Sequence, residues 1–174
     1  DGGFEQILRY SNDLDLIIHL HLHESKEEIT LHHAEHGNRP IARLRALGLI
    51  NSRLQAVHMT DLTEVEINQL AAAKVRIAHC PESNLKLASG ICPTQTLLKR
   101  GVIVGLGTDG AASNNDLDMF QELRAAAMLA KVTSGDPTAL DAFSALEMAT
   151  IGGAEFLGLS DLIGSLEPGK AADM

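Results

Sequence analysis

The chain has 174 residues, 45% of them hydrophobic and 21% charged, with a net charge of -9. That length holds one sizeable core, the composition excludes disordered and fibrous classes, and the acidic balance excludes the basic face that nucleic acid requires. The two cysteines, Cys80 and Cys92, stand in no metal-binding spacing; they exclude a secreted disulfide scaffold and fit a reducing compartment.

The N-terminus, Asp1-Gly2-Gly3-Phe4, has neither the basic nor the apolar part of a signal peptide. No run of about twenty apolar residues follows, so the expectation is a soluble, cytoplasmic protein with no membrane partner. The start without Met, and the end on Ala172-Asp173-Met174 after a turn-like Glu167-Pro168-Gly169-Lys170, both look cut.

Phe4, Ile7 and Leu8 have helical spacing and predict a helix over 4–12. It feeds the stretch Ile17-Ile18-His19-Leu20-His21-Leu22-His23-Glu24. On a strand, alternation sets Ile18, Leu20 and Leu22 on one face and His19, His21 and His23 on the other. Three imidazoles on one face suit a transition metal; an ordinary polar face with bonded histidines is the alternative.

Ser25 is a helix N-cap with acids in the first turn, and that helix runs through Leu31 to His36 before Gly37-Asn38. A short helix from Pro40 to Leu47 stops at Gly48. Leu54 to Met59 reads as a buried strand with His58 at its tail, and Thr63-Glu64-Val65-Glu66 has capping-box spacing for a helix to Ala73. Val75 to Cys80 predicts the next strand, with His79 near its end.

Pro81 to Gly90 reads as a polar loop, followed by a helix opened by Pro93 and closed by Arg100-Gly101. Val102 to Gly107 is an apolar strand running into Thr108-Asp109-Gly110. The loop Ala111–Asn115 leads to a helix over 116–131, whose Met119, Leu123, Met128 and Leu129 form a core stripe. A last helix, from Thr138 past Met148, ends before Gly152-Gly153.

Strands alternating with helices predict an α/β fold with a parallel sheet. His21 or His23, His58, His79 and Asp109 all fall at the C-terminal tips of successive strands, where α/β sheets and barrels hold their ligands. Histidine with a carboxylate is the donor set of a catalytic zinc or iron site. Spacing alone does not choose between His21 and His23. His32 and His36 are an i,i+4 pair without a metalloprotease carboxylate, read as a solvated helix face. His79 is read as orienting the site from behind the ligands.

The blocks His21-Leu22-His23-Glu24, His79-Cys80-Pro81-Glu82-Ser83-Asn84-Leu85-Lys86-Leu87 and Gly107-Thr108-Asp109-Gly110-Ala111-Ala112-Ser113-Asn114-Asn115, with His58, resemble the amidohydrolase superfamily. Within it the sequence is similar to the 5-methylthioadenosine/S-adenosylhomocysteine deaminase branch, and the likeness extends to Gly164–Asp173. The resemblance implies the C-terminal half of a (β/α)8 TIM barrel, strands five to eight, over 1–160. It implies the start of a return into a small β domain over 161–174.

By the same resemblance His21 and Asp109 are metal ligands for one zinc, or iron, per chain, and His58 polarises the attacking water. Glu24 meets the purine ring and shuttles a proton, and Asp109 also acts as base and substrate contact. The implied reaction is hydrolytic deamination of an adenine nucleoside, with ammonia leaving. The partners implied are a small-molecule purine nucleoside, a second copy in a homo-oligomer, and the N-terminal half of the barrel.

The family's first strand carries a His-x-His metal pair, which no residue of this chain matches in context. A complete barrel typically needs about 250 residues. This chain alone is therefore expected to bind metal weakly and turn over nothing. The runner-up is an aminohydrolase or chlorohydrolase acting on guanine, a triazine or another heterocycle. A non-catalytic α/β module stands behind it.

Overall fold

The computed structural model describes residues 2–173; Asp1 and Met174, the outer ends of the two expected segments, lie outside them. The elements in order are α1 (Gly2–Asp13), β1 (Ile18–Leu22), α2 (Lys26–His36), α3 (Pro40–Ala46), β2 (Leu54–His58), α4 (Glu64–Ala72), β3 (Arg76–His79), α5 (Pro81–Lys86), α6 (Thr94–Lys99), β4 (Ile103–Leu106), α7 (Met119–Ser134), α8 (Ala142–Ala149) and α9 (Ile151–Leu157). The four strands form one parallel sheet in the order β1-β2-β3-β4. The expected α/β architecture is present. Among the described residues no helix is long and apolar enough to cross a membrane.

Register sorts the side chains into rows. Leu20, Ala56, Ile77 and Val104 stand level across the sheet, and Ala56, Ile77 and Val104 lie in the main core with Ile41, Leu70 and Leu97. Burying each large aliphatic side chain there contributes roughly 1.5–3 kcal/mol. The opposite face carries the rows His19, Gln55, Arg76, Ile103 and His21, Val57, Ala78, Gly105.

Helix α9 covers the first of those rows and the β4 end of the second. Gln55 Nε2 donates to the Phe156 carbonyl at 2.6 Å and Arg76 Nη1 to the same oxygen at 3.5 Å, while the His19 and Phe156 rings meet edge to face at 5.8 Å. The approach is closest at Gly105, where a Cβ would lie 3.0 Å from Gly153 Cα and 3.2 Å from the Gly152 carbonyl. Gly152-Gly153 is thus inside a helix rather than after one, because two bare backbones let α9 rest on β4. The turn between α8 and α9 falls at Thr150 (φ -117, ψ -97).

The local signals hold at several ends. Ser25 accepts from the Glu28 amide, Gly37 closes α2 at φ 73, and Thr63 and Glu66 form the full capping box of α4. Three other expectations are corrected. Pro81–Lys86 is helix α5, too short to show apolar periodicity. Helix α7 begins at Met119, capped by Asp118. Its buried stripe is Glu122, Ala126 and Ala130, whereas Met128 is 55% exposed.

Only one side of β1 and one side of β4 is paired among the described residues. Beside each edge lies an apolar groove. The one at β1, lined by Phe4, Ile7, Tyr10, Leu16 and Ile18, holds about 280 Å³, and the one at β4, lined by Leu106, Phe120, Leu123, Leu146 and Leu157, about 640 Å³.

Candidate functional site

The polar tips of the sheet meet above the row that α9 covers. His21 leaves β1 on that face, two residues after His19, as alternation requires. Strand β1 ends at Leu22, and His23 turns away at φ 51. This corrects the expected three-histidine face: His23 is fully buried, with Nδ1 on the Asp61 carbonyl at 2.8 Å and Nε2 accepting from the Ile41 amide at 3.4 Å. Burial lowers its pKa against the bond to Asp61, and both ring nitrogens are taken up by backbone groups.

The turn that aims Glu24 is held by Glu28. One carboxylate oxygen accepts the His23 amide at 3.1 Å and the other the Glu24 amide at 2.7 Å, while Thr60 Oγ1 donates to the Glu24 carbonyl at 2.8 Å. Glu24 Oε2 then lies 3.9 Å from His21 Nδ1 and 3.8 Å from His58 Nε2.

His58 ends β2 at φ 76 and Asp109 follows β4 at φ 63, both in the left-handed region that costs an L-residue roughly 1 kcal/mol or more. The turn brings the His58 ring to 4.8 Å from the His21 ring, at 90°, and its Nε2 to 4.0 Å from Asp109 Oδ2. Among the described residues His21, His58 and Asp109 are the one group whose donor atoms could share a cation, all lying within 4.8 Å of one another.

The residues fit a divalent metal. His58 Nε2 is buried and has no hydrogen-bond partner, and two imidazoles with a carboxylate are the donors zinc and iron take. Burial raises the Asp109 carboxyl. The hydroxyl of Ser83 on Oδ2 (2.7 Å), the Gly110 amide on Oδ1 (2.7 Å) and the nearby His58 and His21 outweigh it and leave the pKa below the usual carboxylate range. A carboxylate that is ionised and held at both oxygens can take a cation or a water proton.

His79 does not orient the site with its ring. It shares the face of Ile77, is 1% exposed, and neither ring nitrogen has a partner; burial, with His58 nearby, pushes its pKa down to about 3. Its backbone does the supporting, the carbonyl accepting the Gly107 amide at 3.0 Å. His32 and His36 lie on α2 as expected, their rings 4.5 Å apart, with His32 on the Asn38 carbonyl and His36 on Arg43. Cys80 and Cys92 are buried free thiols, each pushed up to about 12 by burial.

Sequence reasoning missed the residues behind the site. Asn84 Oδ1 lies 2.9 Å from His58 Nδ1. Glu122 accepts from the Glu82 amide at 3.1 Å and from Asn114 Nδ2 at 2.6 Å, tying α7 to α5 and to the loop after Asp109. Burial, then the charge of Glu82 against its amide bond, raises Glu122 to about 7. Ser83, Asn84 and Asn114 lie in the blocks that carry the family resemblance, but sequence reasoning assigned them no individual role.

A model of the amidohydrolase family matches residues 1–174. The chain is 52% identical over 174 residues to the 5-methylthioadenosine/S-adenosylhomocysteine deaminase of Teredinibacter turnerae, covering 100% of this chain and 39% of the relative. It is similar to the crystal structure of a zinc-bound adenosine deaminase from Xanthomonas campestris, with TM-score 0.96, 55% identity, and coverage of 99% of this chain and 39% of that one. A zinc complex of atrazine chlorohydrolase from Arthrobacter aurescens TC1 gives TM-score 0.88 and 34% identity, over 98% and 38% of the two chains. The chain thus spans about 39% of the length of the relatives it matches.

Proposed function

Because the chain belongs to the amidohydrolase family, we propose that it is the C-terminal half of a (β/α)8 barrel whose whole protein deaminates adenine nucleosides. In that reading 1–160 carry strands five to eight and 161–174 begin the return into a small β domain. The open sides of β1 and β4, each with an apolar groove, would be closed by the N-terminal half. Exposed edges of this kind invite aggregation when left uncovered.

The observation that carries the chemistry is the convergence of His21, Glu24, His58 and Asp109 from three strand tips. His21 and Asp109 would hold one zinc or iron, with the first-strand histidines of the missing half. When bound, the metal lowers the pKa of water toward neutrality and stabilises negative charge developing on oxygen. Asp109 takes the proton of the attacking water, and His58 orients that water through Nε2. Glu24 gives a proton to a purine ring nitrogen, Asp109 passes the proton it took to the exocyclic amine, and ammonia leaves as the proton of the added hydroxyl returns to Glu24 and the carbonyl forms. Asp109 is held by the Ser83 hydroxyl and the Gly110 amide, which suits it to the role of base.

5-Methylthioadenosine and S-adenosylhomocysteine are the substrates we assign first, on the likeness to the Teredinibacter turnerae deaminase. The test is ammonia release by the full-length protein from these two, adenosine and guanine, with metal analysis alongside. One zinc or iron per chain, lost on His21→Ala, is expected. Turnover of guanine without any adenine nucleoside would replace this reading with the runner-up, to which the 34% identity to atrazine chlorohydrolase also points. Absence of both metal and turnover would leave a non-catalytic module. Light scattering on the same sample tests the expected homo-oligomer.

A further inference from the structure

We propose that Ser83 and Asn84, neighbours on α5, are positioning residues that fix which lone pairs of Asp109 and His58 face the site. The inference rests on the reading of those two as site residues. Both side chains are sealed from solvent, Ser83 at 0% and Asn84 at 1% exposure.

An amide oxygen has no proton to give. For Asn84 Oδ1 to bond His58 Nδ1 at 2.9 Å, Nδ1 must carry the ring proton. A neutral imidazole has only one, so Nε2 is left as a bare lone pair. That nitrogen is buried without a partner and looks toward Glu24 Oε2 at 3.8 Å and Asp109 Oδ2 at 4.0 Å. A lone pair and two carboxylate oxygens facing one another repel unless a cation or a proton donor lies among them. In the neutral ring Asn84 thereby commits His58 Nε2 to accept, from a metal or from water, and not to donate.

One residue earlier, the Ser83 hydroxyl donates to Asp109 Oδ2 at 2.7 Å. Each carboxylate oxygen has two acceptor directions. Ser83 occupies one on Oδ2 and the Gly110 amide one on Oδ1, which fixes the carboxylate plane and leaves the remaining lone pairs for the site. Adjacent residues on a helix diverge by about 100°, so one short element reaches two strand tips. Its own seat is Glu122, which accepts the Glu82 amide.

The test uses the full-length protein labelled with 15N-histidine, His58 being assigned by its loss in His58→Gln. In the chelator-treated parent, Nδ1 should show the protonated shift and Nε2 the unprotonated one. Asn84→Ala should mix or reverse that pattern, and Asn84→Asp, which keeps the acceptor, should restore it. The zinc dissociation constant should rise about 10–100-fold in Ser83→Ala, the usual cost of losing a group that orients a ligand. A parent protonated on Nε2, an unchanged pattern in Asn84→Ala, or unaltered zinc affinity in Ser83→Ala would overturn the proposal. If Asn84→Ala fails to fold, Asn84→Asp and the parent still decide the tautomer. None of these readouts needs a substrate, so failure of every adenine nucleoside with the expected shifts would remove the substrate reading alone.

Discussion

The face of the sheet that carries His19 and His21 has two ends built to different rules. At the lower end His19, Gln55 and Arg76 meet α9, and Gln55 and Arg76 both donate to the Phe156 carbonyl. At the upper end Glu24 lies 3.9 Å from His21 and 3.8 Å from His58, His58 lies 4.0 Å from Asp109, and two of the four residues have positive φ. The lower end is hydrogen-bonded to α9, while the upper end keeps His58 Nε2 without a partner.

That contrast predicts opposite consequences for substitutions a few residues apart. Asp109→Asn should have the largest effect, lowering kcat/KM of the full-length protein by about 10²–10⁴ as expected for a lost base, and removing bound metal. The Tm of the metal-free protein should change far less than the activity does. A fall in Tm together with intact metal would erase the distinction between the ends. Gly105→Ala should do the reverse, costing roughly 1–3 kcal/mol through overpacking against Gly153, read by denaturant titration, with the metal retained.

Two buried groups sharpen the comparison through pH. His79 has a folded pKa of about 3 against 6.5, so its share of stability is complete above pH 6.5 and is lost as pH falls toward 3. Glu122 has a folded pKa of about 7 against 4.5, so its share is complete below pH 4.5 and is lost as pH rises through 7. The two oppose each other between pH 4.5 and 6.5. His79→Phe should gain on the parent by up to about 1.4 kcal/mol per pH unit as pH drops below 6.5; parallel unfolding curves would contradict the assignment. Gln55→Leu should show the smallest effect, about 1 kcal/mol for a buried bond to the end of α9, with kcat unchanged.

The strands and the strand-tip residues were legible because alternation, glycine stops and the Thr63 capping box are local signals. What failed was decided by contacts distant in sequence. Gly152-Gly153 reads as a break in isolation, and becomes helix because β4 presents Gly105 to it. His23 matches His19 and His21 in spacing, yet the backbone turns at φ 51 and buries it beside Asp61. Resemblance selected His21, and alternation along a strand ending at Leu22 gives the physical reason. Ser83 and Asn84 gave no periodic signal, since a six-residue helix has too few turns to show one.

Glu122 grips α5 through the Glu82 amide and the loop behind Asp109 through Asn114. Residue 122 is made after all three strand tips that carry the site, although Asp109 precedes it only closely. The nascent chain can therefore lay down β1 to β4 before the segment bearing Asp109 has anything to lock against. Competence to receive a metal should arrive late in synthesis, once helix α7 has emerged and docked.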